Sequence, residues 1–411
     1  MINGAVRPKT KSKPRPLHLA VNLPIVIVCA LMLLFGFLMV ASSSGQLAVS
    51  MDKPITHFLG RQVLFAFAGL IIAATLYLVN YQTWAKFIII GVVAVAILML
   101  IARFSPKTAA GATRGIWEGS IQPAEFAKLI VVIYLAIWIT SRKDDLNSWG
   151  LGFLPLIVIV GFMAGLAAIL PDYSASATIF LLGIMMFFLG GGQFLQLIVS
   201  GAAMFVAAFG VYFVNDTIHN RLSTFFFGIM DPTRSAEQVR WAFEAIINGG
   251  IFGMGIGRSL TKYLGLPVAH TDSIFAIIIE ETGLIGALFV IACFVFLLWS
   301  GLKVARQAPD PLGKLLAQGI TFWIVIEAAI NMGTMVGIVP IAGNTLPLIS
   351  YGGSSLVTTM AAIGILLNIS RQGLTAKAET EGGTYGAVID LRRGDRRRSI
   401  SRPSRPAGTQ R

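Results

Sequence analysis

The chain has 411 residues, of which 55% are hydrophobic and 12% charged, with a mean hydropathy of +0.77. Soluble globular proteins carry roughly a quarter charged residues, so this composition excludes that class and predicts a polytopic membrane protein. The net charge is +13, and the two tails hold +11 of it. Basic tails are typical of cytoplasmic ends beside anionic lipid, so we expect no nucleic acid among the partners.

Ten apolar runs, each near the length of about 20 residues that crosses a bilayer, follow one another along the chain. They predict an all-α fold with spans near residues 22–42, 61–80, 86–103, 124–140, 151–170, 174–193, 194–214, 273–300, 315–338 and 346–370. Only the glycines at 190–192 separate the sixth run from the seventh. The first run is longer than the apolar core of a signal peptide, about 7–15 residues, so we expect it to remain as an anchor.

The tails set the predicted orientation. Residues 1–20 contain five Lys/Arg and no acid, and residues 371–411 contain ten Lys/Arg and four acids. Both tails are therefore expected in the cytoplasm, which an even number of spans allows. The predicted domains are a basic N-terminal tail (1–20), a transmembrane domain (21–371) and a basic, disordered C-terminal tail (372–411). The two cysteines, Cys29 and Cys293, lie within spans and indicate neither a disulfide framework nor a metal site.

Two short polar motifs lie on the outer side in this orientation. "SIQPAEFAK" opens the fourth span with Pro123 in its first turn, and Glu125 and Lys128 share one helix face. Lys128 could pair with Glu125, extend to the surface or hold a phosphate. Asp172 is the only charged residue between positions 146 and 215. It could serve a site, or it could simply form the turn "PDYS".

The long outer segment 215–272 keeps five cations against the positive-inside trend. They are Arg221, Arg234, Arg240, Arg258 and Lys262. Its apolar patches, "FFFGIM" and "FEAIINGGIFGMGIG", predict a segment that lies on the membrane surface or re-enters it. Outward cations beside lipid suit an anionic head group such as a pyrophosphate, which Arg binds through two parallel hydrogen bonds. "GMGIGR" lacks the βαβ unit of a nucleotide loop, so flexible backbone or close packing is expected there.

The segment "HTDSIFAIIIEETG" places three acids at the start of the eighth span. Asp272 could cap the helix, face a substrate, or do both. Glu280 and Glu281 lie two turns deeper, about 12 Å along a helix that rises 1.5 Å per residue. Acids at such a depth line a cavity or pair with another span, and we expect one of these roles for both glutamates.

Further polar residues occur near the C-terminal end of the predicted membrane domain. Glu327 and Asn331 are spaced four apart on the ninth span, so they can meet each other. The stretch "GIVPIAGNTLPLISYGGSS" then interrupts the apolar pattern. Irregular backbone at membrane depth is tolerated only where it is buried in protein or lines a cavity. Ser350, Gly352 and Gly353 are therefore expected at a cavity wall.

Five blocks of the sequence resemble, in the same order, signatures of the SEDS family (shape, elongation, division and sporulation), which contains FtsW and RodA. "NMGTMVGIVPIAGNTLPLISYGGSS" is similar to the family's C-terminal signature, and "LPVAHTDSIFAIIIEETG" is similar to its block "LPEAHTDFIFAIIGEELG". "GATRGI…SIQPAEFAK", "PDYSAS" and "NRLSTFFFGIMDP" resemble three others. The resemblance covers roughly residues 20–372, and "TLPLISYGG" leans towards FtsW over RodA.

The resemblance implies a ten-span peptidoglycan glycosyltransferase that polymerises lipid II on the outer face of the bacterial cytoplasmic membrane, in septal or elongation synthesis. The implied partners are a class B penicillin-binding protein and other divisome or elongasome membrane proteins. The family's essential acid corresponds to Asp272, which could act as general base. The implied substrate-binding residues are Arg114, Lys128, Arg221, His270 and Thr271. The one candidate cofactor is a divalent cation such as Mg²⁺, whose ligands the sequence leaves unassigned.

The chain also departs from the family's pattern around this acid. The departures are Gly115, Leu170, Leu264, Val268, Ser273 and Asn344. They leave the proposed base in place but alter its surroundings. Two other functional classes therefore stay open. One is a transporter that flips a lipid-linked cell-wall precursor, because intramembrane acids and a broken helix also suit transport. The other is a non-catalytic divisome scaffold.

Overall fold

The computed structural model describes residues 21–84, 86–104, 115 and 121–398, with side chains of the last helix described to residue 376. Its helices are α1 (Leu23–Ser50), α2 (His57–Leu78), α3 (Tyr81–Trp84), α4 (Ile88–Phe104), α5 (Pro123–Ser141), α6 (Leu154–Ile169), α7 (Tyr173–Leu189), α8 (Phe194–Val214), α9 (Asp216–Met230), α10 (Glu237–Gly249), α11 (Thr261–Leu264), α12 (Ile274–Gln307), α13 (Pro311–Met335) and α14 (Gly353–Arg398). A π-helical turn, Trp149–Phe153, leads into α6, and a 3-10 turn, Pro232–Arg234, follows α9. No β-strand occurs within these described ranges.

Eight of the helices are long and apolar enough to cross a membrane, and α4 and α7 are shorter apolar helices. The all-α polytopic class is therefore confirmed, whereas a count of ten bilayer crossings stays a prediction. The glycine-rich boundary between the sixth and seventh runs is a turn at residues 190–193, between the end of α7 and the start of α8. The long segment 215–272 contains three helices of its own, α9 to α11.

The first helix is longer than its apolar run. It continues through "SSSGQLAVS" to Ser50, well past the predicted end at residue 42. The Ser43 Oγ donates to the Met39 carbonyl oxygen at 2.8 Å, and the Ser44 Oγ donates to the Val40 carbonyl oxygen at 2.6 Å. Because these hydroxyls bond within their own helix, they do not end it.

The last helix likewise exceeds its predicted boundary. α14 continues beyond residue 371 and ends at Arg398, inside the segment for which the sequence predicted disorder. Ala, Glu, Leu and Arg recur in this segment and have high helix propensity. Residues 1–20 and 399–411 lie outside the described residues.

Several helix starts follow directly from the sequence. α5 begins at Pro123, as predicted. α7 is capped by Asp172, whose Oδ1 accepts a hydrogen bond from the Ala175 N–H at 3.2 Å. α13 begins at Pro311, and its cap Asp310 accepts from the Gly313 N–H at 2.6 Å. Each acceptor satisfies an amide that the first helical turn leaves without a partner.

The helices differ greatly in how much of their surface other helices cover. In the apolar span of α14, 89% of residues are buried within the protein, compared with 61% for α13 and 6% for α8. α14 is therefore a central helix of the bundle. α8 lies at its edge and presents apolar side chains outward, as a lipid-facing helix does.

Polar contacts between helices occur at two ends of the bundle. At one end, Gln82 donates to Asp310 at 2.6 Å, and Asn368 donates to the carbonyl oxygens of Tyr77 and Val79. These segments belong to the predicted cytoplasmic side. At the other end, polar contacts connect the first turns of α2, α5, α12 and α14 and the segments that precede these helices. These are the segments assigned to the outer side by the predicted orientation.

Candidate active site

The backbone around Asp272 is held at three successive carbonyl groups. The Tyr351 N–H donates to the His270 carbonyl oxygen at 2.9 Å. The Ser350 Oγ donates to the Thr271 carbonyl oxygen at 2.7 Å, and Asn331 Nδ2 donates to the Asp272 carbonyl oxygen at 2.8 Å. Donors from α13 and from the segment before α14 therefore converge on residues distant in sequence. Such bonds preorganise the position from which the Asp272 side chain, which is half-buried, projects.

Ser350 is held in place by Gln62, a residue that was not predicted from the sequence to belong to the site. Gln62, wholly buried in α2, donates from Nε2 to the Ser350 carbonyl oxygen at 3.0 Å, and its Oε1 accepts from the Gly352 N–H at 3.4 Å. The Ser350 Oγ also accepts from the Leu346 N–H at 2.8 Å. The only signal for Gln62 was a single amide within an apolar run. Gly353 lies against α2 as well, where an added Cβ would meet the Phe65 ring.

The start of α12 is arranged around Ser273. Ser273 occupies the N-cap position, but its side chain makes no capping bond. Its Oγ donates to the Pro267 carbonyl oxygen and accepts from Gln238 Nε2, each at 2.8 Å. Gln238 belongs to α10, so this departure from the family's Phe connects the outer loop to the residue next to Asp272.

His270 is buried between aromatic rings. Its ring centroid lies 5.0 Å from that of Phe58 and 5.5 Å from that of Tyr351. Burial lowers the pKa of His270 from its usual 6.5 to about 4, so the imidazole is neutral at physiological pH. A neutral, enclosed ring does not supply a cation for a pyrophosphate. Thr271 contributes its backbone carbonyl to the site, while its hydroxyl donates to the Val268 carbonyl oxygen at 3.2 Å.

The structure places Lys128 in a buried cluster of ion pairs, and its contact with a phosphate stays a prediction. Its side chain is only 2% exposed and forms ion pairs with Glu125, at 2.8 Å, and with Glu327. The ammonium group of Lys128 is thus paired with two carboxylates. Asn331 does not partner Glu327 as its spacing allowed. It bonds instead to the carbonyl oxygens of Asp272 and Asn344. Asp172 is buried and caps α7 after the turn that precedes this helix.

Arg221 lies on α9 beside a groove. Its guanidinium donates to the Ile341 carbonyl oxygen at 3.4 Å. The groove has a cavity volume of about 30 Å³ between α9, α10 and the segment after α13, and Phe225, Val239 and Phe243 are among its apolar walls. The other proposed arginine, Arg114, lies outside the described residues.

The two deeper glutamates are both buried in α12. Glu280 accepts hydrogen bonds from the outer loop, and Glu281 forms an ion pair with Lys262 at 2.8 Å. Each therefore has partners in a neighbouring segment. No group of three or more His, Cys, Asp or Glu side chains in the described part of the chain is arranged to hold a metal ion.

Two non-glycine residues flanking the site adopt left-handed backbone conformations. Val268 has φ 47° and Leu348 has φ 66°. Branched or bulky side chains are disfavoured there, and such strain persists only where the surroundings determine the conformation. Both residues lie within the two segments whose backbones meet at His270, Thr271 and Ser350.

These elements define a membrane-spanning helical bundle in which α13 and the segment before α14 hold the backbone at Asp272. The family model described as the FtsW, RodA and SpoVE cell cycle proteins matches residues 22–374. The chain belongs to this family, and it is an integral membrane protein.

Several named bacterial proteins are similar to the chain over most of their length. "Probable peptidoglycan glycosyltransferase FtsW" of Bacillus subtilis (strain 168) is 38% identical over 362 residues, which cover 84% of this chain and 88% of the relative. The protein of the same name in Thioalkalivibrio sp. (strain K90mix) is 36% identical, covering 86% of this chain and 90% of the relative. The stage V sporulation protein E of B. subtilis is 33% identical, covering 85% and 97%.

Solved structures share the fold. The crystal structure of the Thermus thermophilus rod shape determining protein RodA has a TM-score of 0.64 at 22% identity, covering 87% of this chain and 98% of RodA. A chain from a peptidoglycan synthase complex, described as coordinating polymerization and crosslinking, has a TM-score of 0.69 at 22% identity, covering 86% and 99%.

Proposed function

We propose that this protein is a peptidoglycan glycosyltransferase that polymerises lipid II at the outer face of the bacterial cytoplasmic membrane, with both tails in the cytoplasm. The observation that carries the proposal is the arrangement of Asp272. Three consecutive backbone carbonyls, ending at that residue, are bonded to α13 and to the segment before α14. The names of the relatives support the same reaction class.

The proposed role of Asp272 is that of general base. Its carboxylate accepts the proton of the acceptor sugar's 4-hydroxyl while that oxygen attacks the anomeric carbon of the donor. A carbon–oxygen bond forms, and the bond to the donor's pyrophosphate breaks with its electron pair leaving on the lipid diphosphate. A positioned base contributes about 10²–10⁴-fold to such a step.

The departing diphosphate requires cations near the developing negative charge. Arg221 is the candidate among the described residues, because it lies beside the groove formed by α9 and α10. Arg114 remains a second candidate from the sequence. The two carboxylate partners of Lys128 and the neutral, buried ring of His270 argue against either residue as that cation. A divalent cation such as Mg²⁺ could add charge at the diphosphate.

The proposed partner is a class B penicillin-binding protein that crosslinks the strands as they form. The structural relative from a peptidoglycan synthase complex supports this pairing. Other membrane proteins of the division or elongation machinery would join the same assembly. FtsW-named relatives favour a role in septal synthesis over a role in elongation.

The test is polymerisation of fluorescent lipid II by the full-length protein co-purified with its class B penicillin-binding protein. Asp272→Asn should abolish polymer while leaving the amount of folded complex unchanged. Asp144→Asn, which removes an exposed acid from the opposite end of the bundle, is the matched control and should polymerise normally. Polymer formed by Asp272→Asn at the wild-type rate would refute the proposal. Lipid scrambling without polymer would favour a transporter, and partner binding without either activity would favour a scaffold.

The variant Arg221→Ala distinguishes a catalytic role of Arg221 from a purely structural role. We expect turnover to fall further than the yield of folded protein in the membrane, because the change removes a charge near the leaving group. Equal losses of turnover and yield would show that Arg221 supports only the structure of the outer loop.

A further inference from the structure

The helix that follows Asp272 is interrupted. Gly283 has φ 70° and ψ −168°, so α12 consists of a short half-helix, residues 274–282, and a longer segment that continues to Gln307. Backbone groups of the glycine-rich loop bridge the interruption. The bonds run from Met254 N–H to Glu280 O at 2.9 Å, from Gly255 N–H to Glu281 O at 3.0 Å, and from Leu284 N–H to Gly250 O at 3.0 Å.

This close approach explains Gly253, the first glycine of "GMGIGR". A Cβ added to Gly253 would lie 2.3 Å from the Glu281 carbonyl oxygen, and one added to Gly283 would lie 2.2 Å from the Ile251 carbonyl oxygen. Both glycines also have positive φ. The sequence left flexible backbone and close packing open for this motif, and the structure shows close packing at Gly253. The loop is thus inserted into α12 at its break.

Glu280 attaches a second part of the loop to the half-helix. The carboxylate is wholly buried and accepts hydrogen bonds from the hydroxyls of Ser259 and Thr261. It also accepts from the backbone N–H groups of Leu260, at 3.1 Å, and Thr261, at 3.2 Å. Hydrogen bonds to a charged acceptor are stronger than neutral ones, so this attachment is firm.

Glu281 connects the same half-helix to the loop and to α1. Its Oε1 pairs with Lys262 Nζ at 2.8 Å, and both of its oxygens accept from the Ser42 hydroxyl, at 2.6 and 2.7 Å. Lys262 also donates to the Gly257 carbonyl oxygen at 2.9 Å and to the Ser42 carbonyl oxygen at 3.2 Å. Lys262 and Glu281 are 4% and 0% exposed, so water does not screen this pair.

We propose that Lys262, Glu280 and Glu281 are positioning residues that set the orientation of the half-helix that directly follows Asp272. The inference rests on the proposed role of Asp272 as base. A nine-residue half-helix is about 13 Å long, and its outer end is held by the bonds to His270, Thr271 and Asp272 already described. Its inner end is joined to the rest of α12 through a glycine, which by itself offers little resistance to rotation. The side chains of the two glutamates therefore supply the inner attachment together with the backbone bonds to the glycine-rich loop. A displacement of about 1 Å at a catalytic group can cost about 10²-fold in rate.

The central experiment compares Lys262→Met with the double variant Lys262→Met/Glu281→Gln in the full-length protein co-purified with its class B penicillin-binding protein. Lys262→Met leaves a buried carboxylate without its cation. The double variant restores neutrality and keeps an acceptor for Ser42. Lys303→Met, which removes an exposed lysine from the other end of α12, is the matched control. Each protein is assayed for kcat and KM with fluorescent lipid II, and for hydrogen exchange of the amides at 274–282.

We expect Lys262→Met to lower kcat by about 20-fold with KM within about 2-fold of wild type, because the base is misplaced while the substrate surface remains. Amide exchange at 274–282 should become faster. The double variant should recover kcat to within about 3-fold of wild type, since a neutral pair avoids an unpaired buried charge. Lys303→Met should change neither measurement.

An unaltered kcat per folded Lys262→Met molecule would overturn the inference, because a merely structural pair would reduce only the amount of folded protein. If Lys262→Met does not accumulate, Ser42→Ala provides the milder perturbation, and unchanged kcat and exchange in that variant would overturn it equally. Failure of the proposed function looks different. If the proposed function is wrong, Asp272→Asn still forms polymer. If only this inference is wrong, Asp272→Asn is inactive but Lys262→Met turns over normally.

Discussion

The buried triad of Glu125, Lys128 and Glu327 allows a quantitative test of the packing around the site. Lys128→Met preserves most of the side-chain volume but removes the ammonium group from between two carboxylates. Lys128 is 2% exposed and Glu327 is 2% exposed, so water cannot replace the lost partner without rearrangement. Removing one partner of a buried ion pair costs about 3–5 kcal/mol.

Repulsion between the two remaining carboxylates gives a loss of stability of similar size. Both acids contact one nitrogen, so their oxygens lie within about 5 Å of each other. Two like charges at that separation repel by about 3 kcal/mol at an effective dielectric constant of about 20. Protonation of one carboxylate can relieve this repulsion, which limits the total loss to about 3–5 kcal/mol.

The assay is the half-life of the detergent-solubilised protein at fixed temperature, since membrane proteins of this size unfold irreversibly and their stability is a rate. We expect Lys128→Met to shorten the half-life by roughly 10- to 100-fold. The variant Glu125→Gln/Lys128→Met/Glu327→Gln should recover most of the loss, because it leaves no unpaired charge. A Lys128→Met half-life equal to that of wild type would refute the reasoning. It would mean that the ammonium group is not enclosed between the two acids.

Three further outcomes are expected. Gly253→Ala should lower the yield of folded protein severalfold in membrane fractions, because the new Cβ would meet the Glu281 carbonyl oxygen at a positive φ; an unchanged yield would contradict the insertion of the loop into α12. Burial lowers the pKa of His270 from 6.5 to about 4, so the folded protein binds this proton less readily than the unfolded chain. Stability from this source is complete above pH 6.5 and falls by up to about 3 kcal/mol as the pH drops to 4, and His270→Phe should reduce that acid sensitivity in half-life measurements from pH 7 to pH 4. Deletion of residues 378–411 should leave polymerisation of lipid II unchanged, and loss of polymer would contradict our view of the tail as a cytoplasmic appendage.

Much of the fold could be predicted from the sequence because apolar length is a local property. Runs of about 20 apolar residues place helices without any knowledge of their neighbours. Pro123 and the "PDYS" turn also marked helix starts correctly, since capping involves only the adjacent turn. The ends of α1 and α14 were misjudged for the same reason. Serines that bond within their own helix and charged residues with high helix propensity both lie outside an apolar pattern.

The partners of the polar residues could not be predicted in this way. The spacing of Glu125 and Lys128 suggested their ion pair, but nothing in the sequence showed that Glu327 completes it from another helix. Asn331 was expected near Glu327, and it bonds instead to the backbone beside Asp272. Gln62 was not predicted as a site residue because it is a single amide in an apolar run, although it holds the segment that contains Ser350.

The sequence by itself therefore determined the class of the protein, the approximate places of its helices and the candidate acid at Asp272, because hydropathy and motifs are written along the chain. Only the tertiary structure decided which buried acids pair with Lys128 and with Lys262. It also decided that the loop before Asp272 is inserted into the helix after it. These properties depend on distances between residues far apart in the chain, and in a low-dielectric interior such distances govern the energy of every charge.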